Sequence, residues 1–305
     1  MEIVRPVSQY LAAMLLAPLL LGVINRVKAF FAGRRGQPLM QLYFELYKLL
    51  LKTPVYSRTT SWVFKAGPVI GVSAMVTALA VLPFAGRRSF LSFEGDFIFV
   101  IYLLGLARFA TVLAALDTGS AFEGMGASRE MQFGVFAEPA FFLGLAALAR
   151  VTGHSSLAGM FGALTWNIWR VAAPVLALLT ASFFIVLLAE NSRVPADDPN
   201  THLELTMIHE VMVLDHSGPD LAFILYGAAL KLWIFGSLIA CMVLPRHSGS
   251  WAGDCALFLV MMLAVAAAVG IVESILARLR LTKVPYLLIT AFAFSALALI
   301  FQMGR

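Results

Sequence analysis

Eight runs of mostly apolar residues set the limits on what this chain can fold into. They fall at roughly 9–26, 62–83, 97–116, 131–151, 167–189, 221–244, 253–276 and 284–303. About 20 apolar residues in a helix cross the ~30 Å hydrocarbon layer of a bilayer. The runs are continuous rather than alternating, which argues against a transmembrane β-barrel. In lipid, a helix satisfies its backbone hydrogen bonds internally. The expectation is an all-α polytopic membrane protein with about eight transmembrane helices, a single integral membrane domain over residues 1–305. Composition agrees. The chain is 61% hydrophobic and only 13% charged, with a mean hydropathy of +0.88, whereas soluble domains are about 25% charged.

The first apolar run, from Tyr10 to Ile24, leads into basic residues without a small-residue cleavage site, so it reads as a retained span. Placing the N-terminus outside puts 13 of the 22 lysines and arginines in inner loops and 7 on the outer side; Arg108 and Lys231 fall inside spans. The positive-inside bias therefore predicts both termini on the outer face of the inner (plasma) membrane. The net charge of +5 follows from these loop residues, and no nucleic-acid motif accompanies it. Cys241 and Cys255 lie in or beside apolar runs without metal-ligand spacing and read as small core residues.

The first inner loop contains "LMQLYFELYKLLLK". Gln41, Glu45, Lys48 and Lys52 recur every three or four residues, and Leu39, Leu42, Tyr43, Leu46, Leu49 and Leu50 cover the other face. This predicts an amphipathic interfacial helix, either a surface anchor or a platform for a partner.

Ionisable groups are not spread evenly. Residues 189–220, "AENSRVPADDPNTHLELTMIHEVMVLDHSGPD", hold seven of the 17 carboxylates and three of the five histidines. Asp198 before Pro199 reads as an N-cap with proline at the first helical position. A helix over about 199–214 follows, with His202 and His209 on one face and Glu204 and Glu210 elsewhere. Three uses compete: a solvated loop, a metal site, or a proton-handling or partner-docking loop. The histidine spacing suits a zinc pair poorly. Closely spaced carboxylates raise one another's proton affinity, and Glu190 stands at the very end of an apolar run.

Arg108, Glu138, Lys231 and Glu273 interrupt apolar runs. An intramembrane charge is expensive unless paired or wetted, so four of them favour an interior polar path over isolated structural pairs. Glu190, Asp197 and Glu204 are expected to exchange protons with Glu138 and Glu273, with Arg108 and Lys231 as counter-charges. Pro139 after Glu138 predicts a locally distorted helix.

These segments also carry a resemblance. "AENSRVPADDP", with Glu190, Arg193, Pro195 and Asp197, resembles the acidic loop of the membrane-arm subunit shared by respiratory complex I (subunit 1 of the mitochondrial enzyme) and the energy-converting nickel–iron hydrogenases. "RRGQP" resembles the basic turn of the hydrogenase branch, with Gln37 inserted. "LDTGSAFEGMGASRE" (116–130), "FAEP" and "ESILARLRL" also resemble that branch, which includes formate hydrogenlyase and component C-like subunits. Ala196 stands where a phenylalanine is usual. The continuation "NTHLELTMIHEVMVLDHSGPD" departs from the glutamate-rich pattern, though Glu204 keeps one carboxylate.

The resemblance implies a non-catalytic, membrane-anchoring and ion-coupling subunit of an oxidoreductase complex. No cofactor is expected on this chain. A nickel–iron centre and iron–sulfur clusters are implied on peripheral large and iron–sulfur subunits, and antiporter-like subunits are implied in the membrane. Partner docking is expected at Arg34, Arg35, Asp117, Arg129, Glu130 and Arg193. The alternatives are the quinone-chamber subunit of a complex I-type enzyme, and a stand-alone transporter, which the lack of an evident repeat disfavours.

Overall fold

The computed structural model describes residues 4–87, 89–197, 207–244 and 250–303. Among them run ten α-helices and no strand: α1 (Val4–Phe31), α2 (Gln41–Leu50), α3 (Trp62–Val81), α4 (Asp96–Asp117), α5 (Ala121–Thr152), α6 (Leu157–Ala163), α7 (Trp166–Glu190), α8 (Gly218–Val243), α9 (Trp251–Ile275) and α10 (Val284–Met303). All but α2 and α6 are long and apolar enough to cross a membrane, which makes eight spans. The protein is a multi-pass membrane protein. The short α6 had no counterpart in the hydropathy pattern.

Caps fix where several helices begin. Ser61, Ser156, Thr165 and Ser250 each accept a backbone N–H in the first turn of α3, α6, α7 and α9. Asp117, at the end of α4, accepts Ser61 N–H (2.6 Å), Ser61 Oγ–H (2.8 Å) and Phe64 N–H (3.3 Å). It thereby fastens the start of α3 to the end of its antiparallel neighbour.

Helix α8 is the most enclosed span. An unbroken stretch from Ala229 to Met242 is buried except for Lys231, with Trp233 and Phe235 in the main core. Around it, α3 pairs with α4, α1 with α9, and α10 packs on α5 and α7. A span apolar all round suits either lipid or protein, so this arrangement is not written in the hydropathy.

The amphipathic helix forms as α2. Leu42 is buried, Gln41 Nε2 donates to Glu45 Oε1 at 2.8 Å, and Phe44, Tyr47 and Leu50 stay exposed. Two expectations are corrected. Helix α5 is continuous through Pro139. The non-helical residue lies instead at Ala172 in α7 (φ −108°, ψ 19°), two positions before Pro174. Second, the described part of the expected 199–214 helix is a bend followed by one 3₁₀ turn, Glu210–Val213. Asp197 Oδ2 accepts both Ile208 N–H (3.2 Å) and His209 N–H (3.3 Å), which turns the chain there. Ile208, Val211 and Met212 then pack against Gly126 of α5; a side chain at that glycine would collide with Val211. Asp198, Pro199, His202 and Glu204 lie outside the described residues.

Candidate functional site: a buried charge network

The site begins at the end of α7. Ser192 takes a left-handed conformation (φ 52°), Ser192 N–H reaches Ala189 O (3.2 Å), and Arg193 N–H reaches Leu188 O (2.8 Å). This is a Schellman stop with serine in the position glycine usually fills. It makes Glu190 the last helical residue, where the helix dipole is unfavourable to a carboxylate. Cations from two other helices offset that.

Arg108 of α4 sits among three carboxylates. Its Nε donates to Glu130 Oε1 at 3.2 Å, its Nη1 bonds Glu138, and its Nη2 bonds Glu190. Lys231 Nζ of α8 lies 2.7 Å from Glu190 Oε2, a charge contact without hydrogen-bond alignment. The side chains of Arg108 and Glu190 are each 6% exposed, whereas Glu138 is 45% exposed. Gly134 makes room for the guanidinium: a Cβ there would lie 2.6 Å from Arg108 Nη1. With two cations and three carboxylates, the formal sum when all are ionised is +2 − 3 = −1.

A second charge group stands on the other side of the Arg193 loop. Glu273 of α9 is fully enclosed; Lys28 Nζ lies 2.8 Å from its Oε2 and Arg193 Nη1 3.5 Å from its Oε1. Asp197 Oδ1 pairs with Arg278 at 2.8 Å, and Leu279 N–H bonds Pro195 O at 3.0 Å. Thus Arg108, Glu138, Glu190 and Lys231 come together, and Asp197 and Glu273 belong to the neighbouring group.

Two cavities touch the first group. One, of about 80 Å³, is bounded by Arg108, Glu130, Glu190, His209 and Lys231 at its polar end and by α3 and α8 elsewhere. The other, of about 20 Å³, lies between Glu190 and Asp197. A water needs roughly 10–15 Å³ by this kind of measure and two or more polar partners. Both spaces meet those conditions. Burial pushes the His209 imidazole below its ordinary value, while Glu130 opposes the shift. A neutral histidine and carboxylates beside water-sized space are parts from which a proton relay can be built.

Of the residues expected at a partner surface, Arg34 and Arg35 are exposed. Asp117 staples α3 to α4, Arg129 donates to Met207 O (2.7 Å), Glu130 faces Arg108, and Arg193 faces Glu273. Sequence reasoning did not assign Lys28, Arg278 or His209 to the network, nor Glu130 to its interior. Glu130, Gly134 and Glu138 follow at i, i+4 and i+8 on one helical face, a spacing that could have drawn Glu130 inward.

A multi-span bundle carrying an enclosed charge network at the root of one connecting loop defines the class: a polytopic membrane subunit with an ionised interior. The chain belongs to the family described as NADH dehydrogenase, which matches residues 6–304. It is 31% identical over 308 residues to formate hydrogenlyase subunit 4 of Escherichia coli (strain K12), covering 98% of each chain. It is 30% identical to hydrogenase-4 component C of the same organism, over 99% of this chain and 96% of that one. One subunit of the NADH-quinone oxidoreductase of Geobacillus thermodenitrificans (strain NG80-2) is 25% identical over 74% of this chain and 68% of its own length. The fold is also that of a chain in the membrane-bound sulfane sulfur reductase, an archaeal respiratory membrane complex, with a TM-score of 0.82, 20% identity, and coverage of 99% and 100%. This protein is thus a membrane subunit of a hydrogenase-type or complex I-like respiratory complex.

Proposed function

We propose that this chain anchors a peripheral hydrogenase-type redox module to the inner membrane and couples its chemistry to ion movement. The observation that carries the reading is the Arg108 group: five ionisable side chains from four spans, all but Glu138 largely enclosed, beside water-sized cavities. Desolvating such groups costs several kcal/mol per ion, so a purely structural role is an expensive one. Glu138 and Glu190 exchange protons, with Arg108 and Lys231 tuning them. Asp197 connects this group to the loop that meets the peripheral partner. Glu273, between two cations, holds α9 to α1 and to that loop. The nickel–iron centre and iron–sulfur clusters reside on the partner subunits. Arg34, Arg35 and the loop around 190–217 form the docking side.

The test is redox-driven ion movement in vesicles containing the intact complex, followed with a pH-sensitive dye and normalised to assembled complex. Glu138→Gln and Glu190→Gln lower ion movement far more than partner binding, and Lys231→Met acts in the same direction. Unchanged ion movement in both glutamine variants refutes the reading.

A quinone-chamber role draws on the apolar walls of the larger cavity and on the complex I relative. The cavity is partly open, and its space of about 80 Å³ is near half the ~150 Å³ cavity that admits benzene. Photolabelling with an azidoquinone decides between the two: labelling of the cavity wall restores the quinone reading.

A further inference from the structure

Ser192 holds a backbone conformation that is costly for any residue with a Cβ. Its φ of 52° lies in the left-handed region, which glycine enters freely and other residues seldom do. The stop of α7 imposes that conformation through backbone bonds alone: Ser192 N–H to Ala189 O (3.2 Å) and Arg193 N–H to Leu188 O (2.8 Å). Glycine would make the same turn with less strain. The serine hydroxyl adds nothing to the turn. Its Oγ has no hydrogen-bond partner among the described residues and opens onto water-sized space.

That space is the pair of cavities beside the Arg108 group. Four residues stand in the walls of both: Arg108, Glu130, Glu190 and Ser192. The first three are charged and tied together through Arg108. Ser192 is the neutral one. The wall continues to His209 and Lys231 on the larger side and to Asp197 on the smaller. Asn191 also lines the larger side, and its Oδ1 is buried without a hydrogen-bond partner among the described residues. A buried acceptor of that kind suits a water. A proton passing between Glu190 or His209 and Asp197 must cross the shared wall. The guanidinium there has no acceptor site and keeps its protons. A hydroxyl donates one hydrogen bond, accepts others, and turns about a single bond.

We propose that Ser192 relays protons between the two cavities, and that its hydroxyl is the reason a serine stands where glycine fits the backbone better. The hydroxyl takes a proton from a water on one side as it gives its own to a water on the other. One O–H bond forms as one breaks, so the serine ends neutral, and rotation about Cβ–Oγ resets it. The inference rests on the ion-coupling reading and deepens it, by assigning the crossing between the Glu190 group and Asp197 to one side chain.

The test uses the intact complex, with redox-driven ion movement in vesicles and thermal melts measured on the same preparations. Three variants separate the hydroxyl from the backbone. Ser192→Gly relieves the left-handed strain and melts at or above the native temperature. Ser192→Ala keeps the strain and loses the hydroxyl. Ser192→Thr keeps the hydroxyl, but its branched Cβ is worse placed at positive φ, so it melts lower. Ion movement per assembled complex is expected to fall about tenfold or more in the glycine and alanine variants, as for loss of a positioned proton-transfer group. Ser192→Thr recovers most of what Ser192→Ala loses. Ion movement then runs against stability, which a serine serving only the turn would not produce. Native movement in Ser192→Gly or Ser192→Ala overturns the proposal, and so does movement that follows melting temperature across the series. The glycine and alanine variants decide even where Ser192→Thr fails to accumulate. Glu138→Gln and Glu190→Gln, measured alongside, separate the two claims. Loss in Glu190→Gln beside native movement in Ser192→Ala refutes this inference alone. Native movement in both glutamine variants refutes the coupling reading, and this inference with it.

Discussion

Arg108 and Glu190, 82 residues apart in the chain, meet inside the bundle, where the guanidinium of α4 bonds the last carboxylate of α7. Each is also bound to something else: Arg108 to Glu130 and Glu138, Glu190 to Lys231. The pair is therefore the hub of a network rather than an isolated bridge. Removing one member of a buried pair strands its partners, at a loss of about 3–5 kcal/mol. Arg108→Met is expected to lose stability on that order and to accumulate poorly. Glu190→Gln should lose less, because an amide still accepts from Arg108. Thermal melts of the detergent-purified complex measure both; equal losses would mean that the hub is not at Arg108.

Gly134→Ala tests the space beside the guanidinium. Its Cβ would stand 2.6 Å from Arg108 Nη1, so the arginine must shift. A destabilisation of about 1–3 kcal/mol is expected, as for other overpacked interiors. Gly119→Ala is not a suitable control because its φ is 70°; Gly71→Ala is, having open space at the added methyl. Similar melting temperatures for Gly134→Ala and Gly71→Ala would contradict the packing argument.

Lys28 and Glu273 should behave as one unit. Their contact is 2.8 Å and the carboxylate is enclosed, so Lys28→Met and Glu273→Gln are each destabilising and together less than additive. A double-mutant cycle reads the coupling, expected at about 0.5–3 kcal/mol. Strict additivity would show that Arg193 alone neutralises Glu273.

Acidification should weaken the protein through its loop histidines. The His216 ring stacks on Phe64 with centroids 3.9 Å apart, and its Nδ1 has no hydrogen-bond partner among the described residues. Burial pushes its imidazole below the ordinary value of 6.5, with Asp220 and Asp215 opposing. The folded state therefore takes up a proton at lower pH than the unfolded one. Below pH 6.5 the unfolded chain binds more protons, and stability falls as pH falls. His209 acts in the same sense. Melting temperature should drop between about pH 7.5 and about pH 5.5, and the drop should shrink in His216→Phe. An unchanged drop removes His216 from the account.

The loops at 52–61 and 207–217 lie at one end of the bundle: Val55 N–H donates to Ser217 Oγ at 3.0 Å, and Gly218 sits against Thr53 and Pro54. The 13-to-7 division of basic residues predicts that this end faces the cytoplasm and that both termini face outside. Single cysteines at Arg35 and Ser57, in a background lacking Cys241 and Cys255, should label only from the cytoplasmic side. Labelling from the outer side would invert the topology.

The spans, the interfacial helix and the four intramembrane charges were legible because each is a local departure from the chemistry of lipid. Hydropathy marks the length of α4, its periodicity marks α2, and Arg108 stands out against an apolar run by itself. Over residues 207–214 the expected helix does not form, because the pattern that suggested it is local, while the hydrogen bonds from Ile208 and His209 to Asp197 that bend the chain are not.

The sequence by itself determined an all-helical membrane protein of eight spans, with ionisable groups gathered at the end of the fifth. Only the tertiary structure decided who pairs with whom. It put Glu130 on Arg108, Lys28 on Glu273 and Arg278 on Asp197, and it turned Glu138 partly outward. The physical reason is that spans apolar on every side carry no periodic mark of which face meets protein and which meets lipid. Charge partners, moreover, are chosen by proximity in space: an arginine finds its carboxylates only after packing has brought four helices together.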